Sequence, residues 1–135
     1  ACFACFLLCL AGLVLANLAA KGGVEAMKKR AIAHSSRIYG IIDESRGFYS
    51  NHVDPKFRSR MNVPFRVGRG ADGKGGDKAL EDKFTAEAGQ VGLLQVFGHY
   101  LFGGQRITLY NGVPDEAVNA IAEFMVDFQR KYDRS

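Results

Sequence analysis

Residues 98–132 read GHYLFGGQRITLYNGVPDEAVNAIAEFMVDFQRKY, a strand followed by a helix. Ile107 to Tyr110 is β-branched and aromatic, as strands prefer. Pro114 then opens a helix, since its fixed φ suits a first turn. Asp115 and Glu116 sit in that turn, with Arg130 and Lys131 in the last one, and both placements complement the helix dipole. Val118, Ile121, Ala122, Met125, Phe128 and Tyr132 recur at helical spacing and give one continuous apolar stripe. The stretch also carries chemistry. Arg106 follows the Gly103-Gly104 pair and runs straight into the strand. An arginine beside glycines that admit a ligand can grip a carboxylate through two parallel charge-assisted hydrogen bonds, which lysine cannot do. Its plainer reading is a structural ion-pair partner.

Working outward, a helix is expected from Val24 to about Ile42, with Val24, Met27, Ala31, Ile38 and Ile42 inward and Lys28, Lys29, Arg30 and Arg37 outward. Phe48 to Val53 reads as a short strand, Asp54-Pro55 as a turn and Met61 to Val67 as another strand. Pro64 places that strand at an edge or a bulge, because proline has no ladder donor. A glycine-rich loop spans 68–76, and Asp77 can cap the next helix, which carries Leu80, Phe84 and Ala88 on one side. Leu93 to Phe97 is strand-like. The order is helix, helix, strand, strand, helix, strand, strand, helix. The fold class is therefore α/β, more narrowly α+β, with a small mixed or antiparallel sheet and helices mainly on one face.

With 135 residues and 47% hydrophobic side chains, one packed domain is feasible. The net charge of +4 suits an anionic ligand, but the basic residues are spread out, so no nucleic-acid partner is expected. Residues 1–20 hold no charge. About 1.5 Å per residue lets them span a bilayer core of about 30 Å. A membrane helix, a signal peptide without a basic flank and a buried helix between two domains all fit. Cys2, Cys5 and Cys9 lie in this run without a fourth metal ligand, so small buried side chains in a reducing compartment are expected, and no metal site. Gly68, Gly73 and Lys74 come near a P-loop, but Gly75 stands where serine or threonine would hold magnesium. His34 and His52 have no partner at metal or catalytic spacing, and no Ser-His-Asp arrangement is readable.

The stretch 98–111 resembles the signature GHRSVGG, one residue, RAS, one residue, YNA of the phosphoserine aminotransferases, class V of the fold-type I pyridoxal-phosphate enzymes. Arg58 to Phe65, RSRMNVPF, is similar to that family's RS(R/K)MN(V/I)PF. Tyr39 to Tyr49 and the helix around Ala122 to Met125 match in order and spacing. The resemblance covers about residues 12–132 and concerns the family's C-terminal part. It implies that residues 1–23 are a long linking helix toward a missing large domain, and that 24–135 are the small domain.

By that resemblance Arg106 binds the substrate α-carboxylate, and His99 helps bind the substrate phosphate across a homodimer interface. The family places an arginine after that histidine, where this chain has Tyr100. A tyrosine hydroxyl can bond a phosphate but adds no positive charge. Arg58, Arg60 and Arg69 are candidate substitutes, and Tyr100→Arg is expected to tighten phosphoserine binding. The implied reaction moves an amino group between glutamate and 3-phosphohydroxypyruvate, giving 2-oxoglutarate and phosphoserine for serine biosynthesis. Pyridoxal 5'-phosphate would be the cofactor, bound mainly by the missing domain. No catalytic, cofactor-binding or metal residue is assigned here, and the chain alone should be inactive. A cytoplasmic setting is expected, with an organelle as the other compartment. The competing readings are a non-catalytic anion-binding or dimerisation module and a membrane-anchored small protein using residues 1–20.

Overall fold

The computed structural model describes residues 3–70, 75–99 and 103–133, with His99 described by its backbone. Helix α1 spans Phe3–Ala20 and α2 spans Gly23–Glu44. Strands β1 (Tyr49–Ser50) and β2 (Asn62–Val67) follow, then helix α3 (Lys78–Gln90). Strands β3 (Phe97–His99) and β4 (Gly103–Thr108) precede helix α4 (Asp115–Tyr132). The sheet order is β1-β2-β4-β3, with every pairing antiparallel. The element order agrees with the sequence reading.

Strand alternation creates the two faces. Val63, Phe65 and Val67 of β2 and Gln105 and Ile107 of β4 are buried, facing the helices. Asn62, Pro64, Arg66, Gly104, Arg106 and Thr108 occupy the alternate positions and stay at least partly exposed. On the buried side, aromatic edges interlock: Tyr49 on Phe65 at 5.7 Å, Phe65 on Phe84 at 5.6 Å and Phe84 on Phe128 at 5.1 Å. Such contacts add about 0.5–1.5 kcal/mol each beyond the area they bury. The Tyr49 hydroxyl donates to the Met125 carbonyl at 2.8 Å, which satisfies the one polar atom this ring brings inside. Burial pushes that phenol far above its usual pKa.

Strand boundaries depart from the periodicity. β1 ends at Ser50 because the Asn51 amide donates to the Pro64 carbonyl at 2.6 Å and its oxygen accepts from the Val53 N–H at 2.7 Å. That side-chain turn replaces the ladder. It also explains Pro64. A residue's C=O and missing N–H point to the same side of a strand, here away from β4, so no β2–β4 bond is lost. The proline lies at a local edge although β2 is an inner strand. Leu93 to Val96 is irregular, with Gln95 at φ 58°. β4 begins at the glycine pair rather than after it, so Arg106 lies well inside the strand.

Helix α2 also differs in detail. Its buried side is Ala31, His34, Ser35, Ile38, Tyr39 and Ile42, while Val24 is exposed. Arg30 turns inward rather than outward. It donates to Asp115 Oδ1 at 2.8 Å and to the Val113 carbonyl at 2.8 Å. His34 Nε2 lies 2.9 Å from the same carboxylate. His34 therefore has a partner, one that sequence spacing could not reveal across two helices. Hydrogen bonds from His34 first and Arg30 second hold the Asp115 carboxyl below its usual pKa.

Helix α1 is the larger correction. None of its residues is buried, and Cys5 and Cys9 are exposed rather than packed. The helix packs mainly on α2, and no described residue buries its apolar surface, so its cysteines enter no core here. Cys2 lies outside the described residues.

Candidate functional site

The β2–β4 pairing sets the site. Arg106 lies opposite Pro64, and its N–H donates to the Val96 carbonyl at 2.8 Å on the other side. Its side chain thus rises from the open face of the sheet. Arg106 Nε is buried with no hydrogen-bond partner among the described residues. Arg58 Nε is likewise unpaired, but its terminal nitrogens are bonded to Asp43, whereas no nitrogen of the Arg106 guanidinium has a partner among the described residues, which leaves it open to an acceptor.

Arg106 borders two cavities. One, of about 630 Å³, runs along Leu93 to Phe97 and the start of α4, and Arg106 is its one charged lining side chain among the described residues. The other, of about 400 Å³, lies under the 50–53 turn and adds Ser50, His52 and Arg66. The second is the better seat for an anion, because two arginines line it.

The other arginines of interest are already engaged. Arg58 makes a bidentate pair with Asp43 at 2.6 and 2.7 Å and stacks over the Tyr39 ring at 4.6 Å. Its hydrogen bond is the main cause holding the Asp43 carboxyl below the usual range. Ser59 Oγ accepts from the Met61 and Asn62 N–H groups at 3.1 Å, and the Tyr39 hydroxyl donates to the Ser59 carbonyl at 3.0 Å. The RSRMN stretch is a structural clasp between α2 and β2. Arg69 is paired with Asp133 at 2.7 Å. Arg60 is exposed and lines a cavity against α1, away from Arg106. None of the three substitutes that the sequence suggested lines the two cavities at Arg106.

His99 pairs in register with Gly103, which puts its backbone on the same hairpin as Arg106. Its side chain, Tyr100, and the P-loop positions Gly73 and Lys74 lie outside the described residues. Sequence reading missed Arg66 and Glu81. Arg66 Nε donates to Glu81 Oε1 at 2.6 Å, and the Gln105 amide donates to the Glu81 carbonyl at 3.0 Å. Glu81 is 3% exposed. The signal was available: an acidic residue beside Leu80 and one turn before Phe84, within the apolar side of α3.

Among the described residues no lysine lines either cavity at Arg106. Lys131 is held by Glu87, Lys78 lies against Asp82, and Lys83 sits over Tyr132. The described residues therefore offer no amine where a cofactor aldehyde would need one. Among them, no cluster of histidine, cysteine or carboxylates could hold a metal.

Comparisons with known proteins give one answer. No protein-family model matches the chain. It is 44% identical over 121 residues to a phosphoserine aminotransferase of Lysinibacillus sphaericus, covering 90% of this chain and 31% of that protein. It is 41% identical over 123 residues to the one from Chromobacterium violaceum, covering 91% and 32%. The solved phosphoserine aminotransferase of Bacillus circulans subsp. alkalophilus superposes with a TM-score of 0.76 at 36% identity, over 84% of this chain and 29% of that one. A structure of the pyridoxal-phosphate-bound enzyme from Trichomonas vaginalis gives 0.71 at 36% identity, over 81% and 29%. The chain is related to the C-terminal part of the phosphoserine aminotransferases, and it spans about a third of the length of the curated relatives it matches.

Proposed function

We propose that this chain is the substrate-gripping small domain of a phosphoserine aminotransferase, with Arg106 holding the substrate α-carboxylate. The guanidinium of Arg106, on the open face of the sheet with no partner among the described residues, carries the reading. Similarity above 40% over nine-tenths of the chain supports it. A planar guanidinium on a strand is a rigid fork, so a carboxylate bound there is fixed in angle as well as place. Holding a substrate in one reactive pose removes much of the entropic barrier to reaction. His99, on the same hairpin, would add a contact to the phosphate ester.

The cofactor of such an enzyme, pyridoxal phosphate, supplies an electron sink. On this reading the cofactor is bound mainly by a large domain upstream of these residues. On this reading the amino group passes between glutamate and 3-phosphohydroxypyruvate, in a cytoplasmic homodimer. Residues 1–23 then form the linking helix, and the exposed apolar surface of α1 is covered by the large domain. The same surface favours a second reading. α1 is long and apolar enough to cross a membrane.

A chimera separates the readings. Residues 12–135 replace the matching part of the Lysinibacillus sphaericus relative, and phosphoserine-dependent amino transfer is measured. Recovered activity that Arg106→Lys abolishes supports the proposal. A folded, inactive chimera counts against it. Detergent-dependent solubility of the whole chain that persists when the large domain is supplied favours the membrane.

A further inference from the structure

One edge of β4 is left open. Backbone groups along a strand point alternately to its two sides. The Arg106 N–H reaches away from β2 to the Val96 carbonyl at 2.8 Å, and the Leu109 N–H turns back to the Met61 carbonyl at 2.7 Å. The N–H and C=O of Thr108 therefore point to the side of β3. No strand meets them there. β3 pairs with β4 only from Phe97 opposite Gln105 to His99 opposite Gly103. Neither Thr108 backbone group has a partner among the described residues.

The chain ahead of β3 is held off this edge. Gln95, at φ 58°, turns it aside, and the Leu93 N–H is fixed to the Ala88 carbonyl at the end of α3, at 2.9 Å. The 630 Å³ cavity opens in the gap, with Leu93 to Phe97 along one wall and Arg106 to Tyr110 along the other. Ala117, Val118 and Ile121 line it from α4. Leu94, Phe97 and Tyr110 are each more than half exposed around it.

An unpaired strand edge is a template for another extended chain. One residue of such a chain, laid antiparallel to β4, would meet both the donor and the acceptor of Thr108. Cross-strand neighbours share a face of the sheet. The side chain level with Thr108 then stands on the open face beside Arg106. The side chains before and after it turn to the helix side, toward the α4 lining. Arg106 is the one charged residue that lines the cavity among the described residues, and its guanidinium has no partner among them. Charge complementarity therefore selects an acid at the middle position, and the apolar lining selects apolar side chains on either side of it.

We propose that the open edge of β4 at Thr108 docks a short extended peptide of a partner protein, with an apolar–acidic–apolar pattern and its acid on Arg106. The inference needs a free guanidinium at Arg106 and not the substrate role given to it above. The two kinds of acid would compete for it.

The whole chain is titrated with the peptide acetyl-Thr-Val-Glu-Val-Thr-amide, following backbone amides and their exchange with solvent by NMR. Saturation is expected to shift the Thr108 amide and slow its exchange. The counterpart with glutamine for glutamate should bind roughly tenfold more weakly, the scale of a hydrogen bond to a charged group. Thr108→Pro removes a backbone donor that the fold leaves unused and should abolish binding. Thr108→Val loses the same hydroxyl but keeps the donor, and should bind like the unaltered chain. A peptide N-methylated at its glutamate lacks the donor for the Thr108 carbonyl. It tests the same pairing without altering the protein, and it should not bind. Absence of binding by the first peptide overturns the proposal. So does equal affinity for the glutamine or the N-methylated peptide. Protection of Thr108 that appears without peptide and grows with protein concentration assigns the edge to a second copy, and overturns it as well.

Discussion

Arg58 and Arg106 sit in the two stretches of this chain with the strongest likeness to known enzymes, yet the fold uses them in opposite ways. Arg58 has two short bonds to Asp43 and an aromatic ring beneath it. Each has a buried Nε without a partner among the described residues, but Arg106 stands on the open face and its terminal nitrogens have none either. One is a clasp and the other is a hand. Membership in a motif does not separate them; the inventory of partners does. An arginine whose two terminal nitrogens are bonded within the fold gains little by binding a ligand. One whose guanidinium has no partner in the fold gains by it.

The comparison breaks first at Arg106. Arg106→Lys is expected to weaken serine and phosphoserine binding roughly 10- to 100-fold, since lysine cannot make the paired bonds. The melting temperature should hold, because no partner in the fold loses a bond. Isothermal titration beside a thermal melt checks both halves, and a fall in melting temperature with affinity intact would make Arg106 structural.

The mirror experiment is Arg58→Met. It should cost about 1 kcal/mol of stability, a modest figure because Asp43 is half exposed and solvent screens the pair. Ligand affinity should be unchanged. Urea unfolding gives the first number, and an affinity loss would mean that the clasp also shapes the site.

The smallest effect sharpens the cause. Hydrogen bonding to Arg58 lowers the Asp43 carboxyl below its ordinary 3.8. A group whose folded pKa is depressed contributes stability above the unfolded value and loses it as pH falls through the folded one. The stability gap between the unaltered chain and Arg58→Met should therefore hold from neutral pH to about 4 and close below it. Urea midpoints at several pH values test this. A gap that persists at pH 2 would assign the effect to the Tyr39 stacking rather than to charge.

Much of the fold was legible beforehand. The α4 stripe from Val118 to Phe128 is the buried set observed, and Asp77 caps α3 by accepting from the Ala79 and Leu80 N–H groups. The strands were less legible. β1 stops at Ser50 because of a side-chain turn at Asn51, and β4 starts within the glycine pair. Periodicity cannot show either, since a two-residue alternation says where a strand can exist and not where its neighbour stops pairing. At the site, Arg106 was visible as an arginine beside glycines. Nothing local marks Arg66, because Glu81, the acid that pairs with it, lies fifteen positions away.

The sequence by itself determined the order of elements, the approximate helix termini and the buried stripe of α4. Those follow from local rules: dihedral preferences, caps and the 3.6-residue repeat act over a few neighbours. Tertiary structure alone decided which arginines are engaged and that His34 and Arg30 meet Asp115. It also decided that Arg66 and Arg106 share one open face and that α1 lies uncovered. Each of these depends on groups brought together across tens of residues, and a charged side chain takes its role from whatever partner the folded chain delivers within about 3 Å.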